Sequence, residues 1–149
     1  MQRLGVIAFS AACLAALAVA WSVAAPGRSA AGPVLEIRWH GNGIVLQGAV
    51  RDAATQRTLA EGAAARLGGE EDQVVDWLDI TPAALPVADA AALAELIRLG
   101  QEGWHLQRRP RDGWLAVQSL TGERSDRARA LLRSAFGPEV PIQLVALPD

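Results

Sequence analysis

Residues 34–50 read VLEIRWHGNGIVLQGAV, and this stretch decides the fold class. In its first half Leu35, Ile37 and Trp39 alternate with Glu36, Arg38 and His40, the period-2 pattern of a strand with one buried face. Gly41-Asn42-Gly43 follows, a sequence that tolerates the positive φ of a tight hairpin turn. Ile44–Val50 then returns as a second strand. A hairpin must bury its apolar face against something, and the next segment supplies it. Asp52 is placed to cap a helix running to about Leu67, closed by Gly68-Gly69. Its apolar stripe of Leu59, Ala63 and Leu67 is thin, so the helix must approach its sheet closely. QVVDWLDI, residues 73–80, is a third strand ended by Thr81-Pro82.

The same order recurs downstream. A helix over residues 88–99, with Leu93, Leu96 and Ile97 inward, links the halves. WHLQRR, a turn at Pro110–Gly113 and WLAVQSL form another hairpin. Ser125 is read as the cap of a third helix carrying Ala128, Leu131, Leu132, Ala135 and Phe136 at i, i+3, i+4, i+7 and i+8. Gly137-Pro138 stops it, and PIQLVAL is the last strand. Two ββαβ units result, residues 34–81 and 82–149, with Gly43 and Gly113 seventy residues apart. Neither unit buries enough apolar surface to stand alone. The expectation is an α/β (α+β) two-layer sandwich: about six strands, three helices on one face, and one shared core.

Ahead of this domain Leu4–Ala25 is 22 residues without a charge. That length suits a membrane-spanning helix, whereas a cleaved export signal has a shorter apolar core. Nine of the 22 are Ala, however, and Ser22-Val23-Ala24 has the small residues a signal peptidase reads, so residues 1–25 are either a retained anchor or a signal peptide. Both imply export. An anchor leaves the domain on the periplasmic side of an inner membrane; cleavage releases it into the periplasm. Residues 26–33, PGRSAAGP, are a small-residue tether reaching roughly 30 Å at full extension. Cys13 is the single cysteine and lies within the apolar run, which excludes a disulfide framework and a Cys-based zinc site.

NGIVLQGAVRDAATQRTLAEGAAARLGG, followed by DQVVDWLDI, resembles the BON domain of bacterial envelope and osmotic-shock proteins, through Gly43, Leu46, Gly48, Val50, Arg57, Leu59, Ala63, Gly68, Val75 and Leu78. A second copy is carried more weakly by Gly113, Leu115, Val117, Arg127, Ala128, Leu131, Gly137 and Val140, with Gln118 or Leu120 standing where the family has its second Gly. Tandem units behind an N-terminal membrane segment also resemble the start of an OmpA-like family, without the peptidoglycan-binding domain that follows there. The resemblance implies a non-catalytic envelope module, in a family associated with phospholipid or envelope interactions and osmotic protection.

Residues that could carry chemistry are few. His40 and His105 lack a third ligand at metal spacing; Asp112 and Asp79 are the residues a fold could bring to them. A Ser119–His105–Asp112 triad can be written, but Ser119 has no Gly-flanked sharp turn to present it as a nucleophile. The acidic run Glu70-Glu71-Asp72 lacks the ligand alternation of a calcium loop, and Gly41-Asn42-Gly43 joins two strands instead of opening a helix, so no phosphate loop is present. No cofactor and no catalysis are expected.

Charge is more informative. The whole chain is −2, which excludes a generally basic nucleic-acid binder. Residues 34–97 carry 4 Arg against 10 acids, while residues 98–133 carry 8 Arg against 4 acids. Arg108, Arg109 and Arg111 crowd one hairpin, Arg129 and Arg133 share a helix face, and Trp104 and Trp114 open strands nearby. These seven are the candidate contacts for a phospholipid surface of the inner or outer membrane, or for an envelope protein, since Arg suits bidentate phosphate contact. The competing expectations are mutual pairing with the acidic unit, and a scaffold or oligomerisation role.

Overall fold

The computed structural model describes residues 34–148. Its elements are β1 (Leu35–His40), β2 (Gly43–Val50), α1 (Ala53–Arg66), a 3-10 turn (Glu71–Gln73), β3 (Val74–Ile80), α2 (Ala90–Leu99), β4 (His105–Arg108), β5 (Gly113–Val117), α3 (Glu123–Phe136) and β6 (Ile142–Ala146). The six strands form one mixed sheet in the order β3-β2-β1-β4-β5-β6. Each unit contributes an antiparallel hairpin and a strand added in parallel after its helix. The units join by antiparallel pairing of β1 with β4, Ile37 opposite Leu106.

One buried cluster spans both units, as expected of two pieces too small to stand alone. Leu35, Ile37, Trp39, Ile44, Leu46 and Val50 enter it from the first hairpin, Leu106, Leu115 and Val117 from the second, and Leu93, Leu96 and Ile97 from α2. Trp39 donates its indole N–H to the Ile97 carbonyl at 2.8 Å and meets Trp104 edge-on, ring centroids 6.1 Å apart. The two rings therefore lock β1, the start of β4 and α2 together. A close approach of α1 is seen against α2, not at the sheet where the thin stripe pointed: at Gly62 a Cβ would stand 2.8 Å from that of Ala94. Gly48 is required for another reason: its φ is +111°, and a Cβ there would lie 1.8 Å from the Val34 carbonyl oxygen.

Several expectations need correction. Helix α3 begins at Glu123 after Gly122, not from a Ser125 cap; Ser125 is buried, and its hydroxyl donates to the Ser119 carbonyl at 2.5 Å. Helix α2 starts at Ala90, with Asp89 accepting from the Ala92 amide. The seventy-residue spacing matches strand order but not side-chain direction. In β2 the inward residues are even-numbered, Ile44, Leu46 and Val50, while in β5 they are Leu115 and Val117. Gly43 and Gly113 thus project to opposite faces. The proposed anchor or signal at residues 1–25 and the tether lie outside the described residues. Within the described residues no helix is long and apolar enough to cross a membrane.

Candidate partner-binding surface

Among the described residues the helices leave one sheet face uncovered, and strand register fixes what stands on it. One row across the sheet runs Trp77, Gln47, Glu36, Gln107, Trp114, Gln143; the next runs Val75, Val45, Arg38, His105, Ala116, Val145. Trp77, on the edge strand β3, is 65% exposed. Ile80, in the same strand but on the opposite, helix-bearing side, is 50% exposed.

At the centre of the face the joint between units carries a polar knot. His105 Nε2 lies 2.6 Å from Glu36 Oε1, and the same oxygen accepts from Arg38 Nε at 2.6 Å. The His105 ring meets Trp114 edge-on at 4.5 Å, and the Trp114 indole N–H donates to Gln107 Oε1 at 3.2 Å. Alternation already put Glu36, Arg38 and His105 on polar faces, but only the β1–β4 pairing makes them neighbours. Beside Trp114, at the corner between β5, β6 and the β4–β5 turn, opens a cleft of about 560 Å³.

The seven candidate contacts separate into three groups. Trp104 and Arg108 are withdrawn from the surface, at 2% and 3% exposure. Both follow from the face assignment: Leu106 points inward, so its i±2 neighbours do too. Arg108 lies over the Phe136 ring, 5.7 Å from its centroid, and donates to the Asp112 carbonyl at 3.3 Å. Its Nε has no hydrogen-bond partner among the described residues. Burial lowers its pKa below that of an ordinary guanidinium, with the Asp112 carboxylate opposing that shift.

The second group lies at one end of the domain. Arg109 and Arg111 are exposed at the β4–β5 turn, and Trp114 is half-buried at the start of β5. Arg109 is held by Asp112, Nε to Oδ1 at 2.8 Å. The Arg108–Phe136 contact and the Gly113 amide bonded to the Pro141 carbonyl bring the last turn of α3, with exposed Arg133, to the same end. The third group is Arg129, farther along α3 and paired with Asp126 at 2.9 Å. Among the described residues neither Arg111 nor Arg133 has a side-chain ion-pair partner. Mutual pairing of the acidic and basic halves is seen in Arg127 with Glu95 and His105 with Glu36.

The nominal triad is not assembled. Ser119 Oγ donates to the Thr121 carbonyl, His105 faces Glu36, and Asp112 faces Arg109. Among the described residues no three His, Cys, Asp or Glu side chains converge to hold a metal. No protein-family model matches the chain, and no curated protein matches its sequence.

Proposed function

We propose that this protein is a non-catalytic module of the bacterial cell envelope, related to BON domains, that engages a phospholipid surface or an envelope partner. The observation that carries the reading is the clustering of exposed Arg109, Arg111 and Arg133 at the end where the chain enters the domain. Leu35 pairs with Arg108, so Val34 lies beside the β4–β5 turn. A membrane segment ahead of a short tether would keep this entry point nearest the bilayer. Arg111 and Arg133, which have no ion-pair partner among the described residues, suit anionic headgroups, each worth about 1 kcal/mol near such a surface, while Arg109 beside them is already held by Asp112. Asp52, Asp79, Asp112 and Glu139 share the end, so the attraction is local and readily screened.

The test is co-sedimentation of residues 34–149, which contain the whole buried cluster, with phosphatidylglycerol vesicles at low salt. Binding should disappear in the combined Arg109→Ala, Arg111→Ala, Arg133→Ala variant and in phosphatidylcholine vesicles. Equal binding to both vesicle types, or none, removes the lipid reading. A second reading, a scaffold or oligomerising module, is favoured by the exposed Trp77 and Ile80 on an edge strand. Concentration-dependent light scattering without vesicle binding, relieved by Trp77→Lys, would select it.

A further inference from the structure

The cleft beside Trp114 goes beyond that reading, because it has the dimensions and chemistry of a small-ligand site. Its volume of about 560 Å³ falls within the roughly 300–1,000 Å³ typical of such sites. Its lining includes Trp114, Val145 and Pro141 as an apolar floor, with Arg109, Asp112 and Gln143 as polar rim. The rim determines the ligand class. Arg109 and Asp112 are joined by two contacts, Nε to Oδ1 at 2.8 Å and Nη2 to Oδ2 at 3.4 Å, so the pair carries no net charge. It still offers N–H donors and carboxylate acceptors side by side, and the Gln143 amide supplies one of each.

A phosphate would find its cation already neutralised, and an acyl chain would leave the rim unused. A pyranose ring matches both parts: its C–H face lies on an aromatic plane, and each of its hydroxyls donates and accepts. The Trp114 ring is also held before any ligand arrives, by Gln107 on its indole N–H and by His105 against its ring. Holding the platform in advance lowers the ordering cost of binding. We propose that this cleft binds an uncharged pyranose oligosaccharide, stacked on Trp114 and hydrogen-bonded to Arg109, Asp112 and Gln143.

The test uses the full chain in a detergent without a sugar headgroup, with the tryptophan indole N–H resonances followed by NMR. Maltotriose and tri-N-acetylchitotriose are the two saccharide probes, one plain and one N-acetylated, and glycerol 3-phosphate is the anionic control. At least one saccharide should shift the Trp114 resonance saturably at millimolar concentration and leave that of Trp77 in place. Trp114→Ala should abolish the response measured at the backbone amides of Gln143 and Val145, and Asp112→Asn should weaken it about tenfold, which corresponds to about 1.4 kcal/mol. Trp114→Phe keeps an aromatic floor and should retain weaker binding, which separates loss of the platform from loss of the fold. No response to either saccharide, an unchanged response in a folded Trp114→Ala protein, or a response to glycerol 3-phosphate alone would overturn the assignment. No vesicle enters the measurement, so its failure leaves the lipid test standing.

Discussion

Two charged residues show how local chemistry and tertiary placement diverge. Asp52 behaves as its sequence position predicts: its carboxylate accepts from the Thr55 amide at 2.7 Å and caps α1. That hydrogen bond lowers its pKa from the ordinary 3.8. A carboxyl lowered on folding stabilises the fold above its unfolded pKa and loses that contribution as pH falls through the folded value. Asp52→Asn keeps an acceptor oxygen and cannot titrate. The variant should therefore show a shallower loss of stability below pH 3.8 than the parent, read by urea denaturation at a series of acid pH values. Arg108 departs from its sequence reading, because a position in a basic run says nothing about which face of a strand it occupies. With Nε unpartnered and the guanidinium over Phe136, its charge is a burden that its stem partly offsets by packing. Arg108→Met should leave stability unchanged or raise it by up to about 1 kcal/mol. Arg108→Ala, which also removes the stem, should cost about 2 kcal/mol. Thermal unfolding of the pair distinguishes charge from volume.

Helices and strands were legible where their own period carried the signal. The hairpin at residues 35–50, the Asp52 cap and the inward stripe of α3 all follow from spacing within one segment. What spacing could not show is how close α1 comes to α2. Leu59 and Ala63 suggest a thin stripe, but the contact is made by Gly62, an apparently poor helix residue. In an exposed helix interior Gly→Ala gains about 1 kcal/mol. Here the new methyl would meet Ala94, so Gly62→Ala should destabilise by about 1–3 kcal/mol. Adding Ala94→Gly should recover part of that loss, since it removes the nearest clash, and a double-mutant cycle in chemical denaturation measures the coupling. The start of α3 illustrates the converse error. Ser125 is a good cap by type, but it is buried and its hydroxyl bonds the Ser119 carbonyl of the exposed turn at Ser119–Gly122 instead, and the helix begins at Glu123.

At the scale of the molecule, the central event is the pairing of β1 with β4 beneath α2. It makes one core from two units, so residues 34–148 should unfold in a single transition, with tryptophan fluorescence and far-ultraviolet circular dichroism coincident. Trp39→Phe removes the bond to Ile97 and alters the edge-on contact with Trp104; it should lower stability by about 2 kcal/mol without splitting the transition. Two separate transitions would mean that the units are independent after all. The same pairing makes the surface: it brings Glu36 to His105, and through β5 it sets Trp114 at the cleft. By itself the sequence determined the strand-strand-helix-strand order, its repetition, the caps of α1 and the aliphatic stripe of each element, because each depends on periodicity or turn chemistry within about a dozen residues. Only the tertiary structure decided the rest. Which arginines reach solvent, which tryptophans are core and which polar groups meet across the joint depend on pairing between segments seventy residues apart, and a shift of one residue in that pairing would send the side chains of the shifted strand to the other face.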